Sequence, residues 1–133
     1  MLFRSVEQTD IDQLNHPEAI IYSGGCIILA QITEGSESEI VGTAALIPDH
    51  EDPEQLELIK MAVSPRMQGK QIGKKLALAA IQKARDMGAK RIFLESNTAL
   101  QPAMELYKKV GFQKVQMRSS PWERANIQMV LEL

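Results

Sequence analysis

The 133-residue sequence holds a single cysteine, Cys26, so no internal disulfide can form. No Cys/His spacing has the form of a zinc site, and no metal is expected. A chain without structural disulfides fits a reducing cytoplasm, which is the expected location. The first twelve residues lack the apolar stretch of a signal peptide. Apolar runs such as Cys26–Ala30 fall far short of the roughly 20 residues a membrane-spanning helix needs, so no membrane partner is expected. Basic charge is not in excess either: 15 Lys and Arg stand against 17 Asp and Glu. That balance argues against nucleic acid as the main partner, because a phosphate-reading domain is usually basic overall. Internal repeats, low-complexity segments and Pro/Gly/Ser-rich linkers are absent as well, so residues 1–133 are expected to form one domain.

What is present is a globular composition, with 44% hydrophobic residues. A chain of this length buries roughly 68% of the surface it exposes when unfolded, enough for a core without staples. Thr9 to Asn15 reads as a short helix with Asp10 or Thr9 as its cap and Pro17 closing it. After Gly24-Gly25, CIILAQI (26–32) reads as a strand, TEGSES (33–38) as a turn and EIVGTAALI (39–47) as the antiparallel partner. The proline-rich, acidic stretch 48–55 is loop chemistry, and LELIKMAV (56–63) supplies the next strand, stopped by Ser64-Pro65. Ile72, Leu76, Ala80, Ala84 and Met87 follow helical spacing, and Gly88 supplies the stop. RIFLE (91–95) has the consecutive apolar residues of a strand covered on both faces. Strand, helix, strand in that order implies a right-handed parallel crossover. A second helix is predicted from about Ala99 to Val110, capped by Asn97 or Thr98, with Pro102 tolerated in its first turn and Gly111 ending it. NIQMVLEL closes the chain as a half-buried strand. The fold class is therefore α+β (mixed α/β), with helices packed on a mixed, mostly antiparallel sheet.

The segment that carries chemistry is SPRMQGKQIGKKL (64–76), where a strand ends, a loop rich in glycine and basic residues follows, and a helix begins. Backbone N–H groups and the positive end of the helix dipole converge there, which is how a chain binds phosphate without dedicated side chains. Arg66, Lys70, Lys74 and Lys75 add positive charge; a solvated basic turn is the plainer alternative. The loop is not a Walker A motif. Gly69 and Gly73 have three residues between them rather than four, and Lys74 is followed by Lys75 rather than Ser or Thr. No G-x-G-x-x-G dinucleotide motif occurs.

At Gln68, Gly69, Lys70, Gln71, Ile72 and Gly73 the sequence resembles the acetyl-CoA loop of the GNAT superfamily of N-acetyltransferases, of the form Q/R-x-x-G-x-G/A. The likeness continues through the helix, RIFLESN, the second helix and LYKKVGF (106–112), where the family commonly has a tyrosine followed by Gly-Phe. It covers roughly residues 40–115. Two departures accompany it. Gln71 stands where the pattern has its first glycine, and the region before Cys26 is short for the usual first strand and two helices.

The resemblance implies a sheet splayed at the acetyl-CoA site, with the pantetheine arm pairing along Met61, Ala62 and Val63. The diphosphate would lie on N–H groups from Gln68 to Lys74, and N–H groups near Met61–Val63 would face an oxyanion. Asn97 would cap the next helix or bind pantetheine. Glu57 is the candidate general base, acting through a water, with a solvent-facing strand carboxylate as the alternative. Tyr107 is the candidate acid for the departing thiolate, with a core aromatic as the alternative. The activity implied is acetyl-CoA-dependent transfer of an acetyl group to a primary amine of a small molecule or peptide. The alternative is an inactive CoA-binding regulatory or interaction module. Asp49, Glu51, Asp52, Glu54 and Glu57 would either attract a cationic acceptor or form a solvated loop. His16 and His50 are isolated and are given no role, Cys26 is expected in the core, and Trp122 would line the acceptor mouth or shield an edge. The apolar terminal strand and short N-terminal region make a homodimer an expectation.

Overall fold

The structure, a computed structural model, describes residues 17–121 and 123–133. The expected helix at Thr9–Asn15, His16 and Trp122 lie outside the described residues. The first described helix, α1 (Glu18–Tyr22), starts directly after Pro17, so this proline opens a helix. Its fixed φ suits a helix start as well as a stop.

Strands β1 (Cys26–Glu34) and β2 (Glu37–Pro48) form the expected hairpin, with a turn of only Gly35 and Ser36 between the paired Glu34 and Glu37. Gly35 takes φ +63°, as a two-residue hairpin turn requires. β3 (Gln55–Val63) pairs antiparallel with β2. A short 3₁₀ turn (Pro65–Met67) and a loop lead into α2 (Ile72–Asp86). Then follow β4 (Arg91–Ser96), α3 (Gln101–Lys109), β5 (Gln113–Val115) and β6 (Ile127–Glu132). The three residues of β5 are too few for an alternating pattern to show in the sequence.

The described strands form one sheet in the order β1-β2-β3-β4-β6-β5. Only β3 and β4 are parallel, joined through α2. α2 and α3 pack on one face. Leu76, Ala77, Ala80, Ile81 and Ala84 of α2 and Ala103, Met104 and Tyr107 of α3 share a core with Leu46, Leu56, Leu58, Met61, Val63, Ile92, Leu94, Ile127 and Met129. The buried stripe of α2 thus includes Ala77 and Ile81, whereas Met87, placed in it from spacing, is 38% exposed beyond the helix end. The opposite face carries a smaller apolar cluster of Ile20, Ala45 and Ile59. RIFLE lies inside the sheet, but only its Ile92 and Leu94 face is fully covered; Phe93 is half-buried on the other.

Both long helices end in the same backbone motif. Gly88 N–H donates to Arg85 O and Ala89 N–H to Ala84 O; Gly111 N–H donates to Lys108 O and Phe112 N–H to Tyr107 O. These are Schellman ends, with Gly88 at φ +83° and Gly111 at φ +111°. At α3 the hydrophobic contact that accompanies such an end is the edge-on pair of Tyr107 and Phe112, with ring centroids 5.7 Å apart.

Candidate functional site

The β2–β3 pairing changes register between Thr43 and Ala45, which face Ala62 and Ile59. Lys60 lies in this bulge with φ +56°, and Thr43 Oγ1 donates to its carbonyl at 2.7 Å. An extra residue resets the side-chain alternation. Leu56 and Leu58 before the bulge, and Met61 and Val63 after it, consequently all face α2 and α3. Glu57 and Ile59 face the other way.

The ladder between β3 and β4 consists of Gln55↔Arg91, Leu56↔Ile92 and Glu57↔Phe93. Beyond Glu57 both strands continue, β3 along β2 and β4 along β6, but no longer along each other. The sheet is therefore splayed from Glu57 onward, in keeping with the splay that the family resemblance implied.

On the helix side of this opening lies a cleft of about 310 Å³ between the β3–α2 loop and α3. Val63, Gln68, Gly69, Gln71, Ile72, Gly73 and Lys74 line it, as seven of the predicted residues. Lys70 is exposed outside the lining, and Met61 and Ala62 lie further back along β3. Gln71 adopts φ +65°, ψ +17°, so the side chain at the glycine position of the loop follows the left-handed course a glycine would take. The conformation costs roughly 1–2 kcal/mol for an L-residue. No side chain caps α2, and its first-turn N–H groups, Ile72 to Lys74, precede the first intrahelical bond, from Lys75 N–H to Gln71 O. No acid occupies this turn. Donors at the positive end of a helix dipole, with Lys74 beside them, suit an anion. Arg66 does not add to this charge, because it pairs with Glu39 of β2.

α3 contributes Pro102, Glu105, Leu106 and Lys109 to the far wall, and Met67 completes it. The sequence stripe of α3 picked out its core face and missed this one, although positions 102, 105, 106 and 109 have the i, i+3, i+4, i+7 spacing of a second face. Tyr107 is 6% exposed, in the main core, on the turn of α3 that carries Leu106.

Asn97 lies outside the cleft. Its Oδ1 accepts from Ala99 N–H at 2.8 Å and its Nδ2 donates to Arg124 O at 2.6 Å, so the amide ties the β4–α3 turn to the β5–β6 connection. α3 begins at Gln101, and Leu100, which has no side-chain acceptor, takes the cap position expected for Asn97 or Thr98. Cys26 is half-buried against the core, and His50 is exposed.

The acidic loop is mostly occupied with its own fold. Asp49 Oδ1 accepts from the N–H groups of Glu51 and Asp52, and its Oδ2 from Gln55 Nε2. Partial burial works against these contacts, but together they hold the Asp49 carboxyl below its ordinary value. Asp52 pairs with Arg91 at 2.5 Å. Glu57 differs: it is half-buried and makes no hydrogen bond or ion pair with a described residue. Burial first, then repulsion from Glu95 and Asp49, pushes its carboxyl up to about 7. A solvent-facing strand carboxylate would not behave in this way.

The arrangement is an anion-suited cleft on one side of a sheet, an opening through it, and a proton acceptor titrating near neutrality on the other side. Among the described residues no group of three or more His, Cys, Asp or Glu could hold a metal, and no helix is long and apolar enough to cross a membrane.

A family model described as Acetyltransferase (GNAT) family matches residues 3–112, reaching further toward the N-terminus than the motifs alone. An uncharacterized N-acetyltransferase of Escherichia coli, YjgM, is 40% identical over 80 residues, covering 59% of this chain and 48% of that protein. The chain thus spans about half the length of this curated relative. Among solved structures, a GNAT-family acetyltransferase from Staphylococcus aureus superposes with a TM-score of 0.81 at 25% identity, covering 96% of this chain and 81% of its own. A GNAT-family acetyltransferase from Elizabethkingia anophelis with acetyl-CoA bound superposes with a TM-score of 0.72 at 24% identity, covering 97% and 92%.

Proposed function

Because the chain belongs to the acetyltransferase (GNAT) family, we propose that it transfers the acetyl group of acetyl-CoA directly to a primary amine. The observation that carries this reading is the position of Glu57 at the point where β3 and β4 part, on the face opposite the cleft. A thioester entering from the helix side and an amine approaching from the Glu57 side would meet in the opening, with no covalent enzyme intermediate.

The residues present suit the cofactor. N–H groups from Gln68 to Lys74 would receive the diphosphate, and the Met61–Val63 stretch would run beside the pantetheine and offer N–H groups to the oxyanion. An amine of lysine type has a pKa of about 10.4 and must lose a proton to attack. Passing it to a carboxylate at about 7 is uphill by about 3.4 units, or roughly 5 kcal/mol, against roughly 8 for an unperturbed glutamate. Glu57 takes that proton, directly or through one water, and the Tyr107 phenol protonates the leaving thiolate. The acceptor is a small-molecule or peptide amine, and the setting is cytoplasmic.

The test is thiol release from acetyl-CoA with a panel of primary amines. Amine-dependent release is expected in the wild type, with kcat reduced about 10²-fold or more by Glu57→Gln. Turnover that is indifferent to this substitution would remove Glu57 as the base.

A further inference from the structure

Gln128 carries a side-chain amide buried to 2% exposure. Its neighbours along β6, Ile127 and Met129, are apolar and buried in the main core. Gln128 itself points to the opposite face, the face of Glu57. A buried amide is retained at a cost unless its donors and acceptor are met. Here they are met in a specific way. Nε2 donates to Glu95 Oε1 at 2.7 Å and to Arg118 O at 3.2 Å, while Oε1 accepts from Arg118 N–H at 2.8 Å. β5 ends at Val115, opposite Gln128, so the side-chain amide grips the chain leaving β5 much as another strand's backbone would.

The register places Glu95 on the same face. Glu57 pairs with Phe93, and Glu95 is two residues further along β4, paired with Gln128. It is a diagonal neighbour of Glu57 at the mouth of the splay. The bond from Gln128 is its only hydrogen bond among the described residues, and no cation pairs with it there. Among the described residues, the charged groups acting on the partly buried Glu57 are Glu95 from β4 and Asp49 from the β2–β3 connection; no cation is among them.

We infer that Gln128 and Glu95 are positioning residues for Glu57: Gln128 holds the Glu95 carboxylate on the face of Glu57 and ties residues 116–121 to that face, so that the acceptor amine is received between two carboxylates. The inference deepens the proposed function and rests on Glu57 serving as the base there. It assigns the acceptor to amines that arrive as ammonium ions, since two facing carboxylates without a cation favour a positively charged guest. The other end of the 116–126 connection is fixed by Asn126, whose side chain bonds Thr98, and by the Asn97 bond to Arg124 O. The connection is therefore fastened near both of its ends, on the β4–β6 side of the opening.

The test is the titration of Glu57 in the whole protein, followed by carboxyl-labelled NMR, in the wild type, Glu95→Gln and Gln128→Met. Glu95→Gln keeps the shape and the bond to Gln128 but removes the facing charge, so the midpoint is expected to fall from about 7 by half a unit or more. Gln128→Met conserves volume but releases Glu95, and a fall in the same direction is expected, together with faster amide exchange at Arg118. A merely structural role for Gln128 would alter the exchange and leave the titration in place. An unchanged midpoint in Glu95→Gln overturns the inference, even where Gln128→Met does not fold. The two failures are distinguishable. A shifted titration with amine acetylation indifferent to Glu57→Gln overturns the base assignment and supports the coupling of the carboxylates.

Discussion

Glu57 shows how position changes the chemistry of an ordinary residue. On β3 it alternates with Leu56 and Leu58, and that alternation alone would place it in solvent. Burial first, then the facing Glu95 and Asp49, give it a carboxyl at about 7 instead. The folded protein therefore binds this proton more tightly than the unfolded chain does. The stability that protonated Glu57 confers is fully present below about pH 4.5 and is lost as pH rises through about 7. A shift of about 2.5 units sets that loss at no more than about 3.4 kcal/mol. Glu57→Gln is accordingly expected to raise the melting temperature at pH 8 and leave it unchanged at pH 4, which a pair of thermal melts checks. The packing of Tyr107 and the acid role proposed for it are separated by one substitution. Its ring closes the helix end against Phe112, and Tyr107→Phe preserves that contact. If the phenol is the acid, kcat falls at least tenfold with the KM for acetyl-CoA and the melting temperature nearly unchanged. An unaltered kcat reduces Tyr107 to packing.

At the scale of elements, the glycines and the helix periods were legible because their causes are local. Gly88 and Gly111 stop helices through left-handed backbone that a glycine adopts without strain. The Tyr-x-x-x-Gly-Phe string of the family thus has a backbone reason, the Schellman end with its aromatic contact, independent of catalysis. The loop between β3 and α2 belongs to the same class, since its position between a strand and a helix follows from the pattern. Gly73 lines the cleft at the start of α2, so Gly73→Glu sets a carboxylate among the donors proposed for the diphosphate. In a thermal-shift titration, acetyl-CoA at about 100 times its Kd is expected to stabilise the wild type by about 2.7 kcal/mol. CoA should act likewise, ATP should not, and Gly73→Glu should show no shift while keeping its circular dichroism. What the local pattern missed were β5, too short to alternate, and the cap of α3, where Leu100 stands and Asn97 is drawn instead to Arg124 across the chain.

For the molecule as a whole, the constraints come from surfaces brought together from distant positions. Gly25 reads in the sequence as one of two turn residues. In the structure a Cβ there would lie 2.3 Å from Leu46 O and 2.9 Å from Ile20 O, both backbone atoms, because α1 and β2 close on it. Gly25→Ala is expected to destabilise the fold by about 1–3 kcal/mol, measured by urea denaturation, although its φ is one that alanine tolerates. The bulge at Lys60 acts at the same scale. It returns Met61 and Val63 to the face of Leu56 and Leu58, while Glu57, alternating with those leucines, stays on the other, where the opening between β3 and β4 begins.

The sequence by itself determined most of the elements, their order, the parallel crossover between β3 and β4, and a strand-to-helix loop whose backbone N–H groups suit an anion. Each of these rests on near neighbours in the chain: side-chain period, turn chemistry and short motifs. Only the tertiary structure decided that Glu57 is half-buried near Glu95, that Asp49 is bonded within its own loop and Asp52 to Arg91 while Glu57 is not, that Arg66 turns away to Glu39, and that Gln128 joins Glu95 to Arg118. Apart from the short-range bonds of Asp49, these are contacts between residues ten to about forty positions apart, and a carboxylate's proton affinity depends on what surrounds it in space rather than on what adjoins it in the chain.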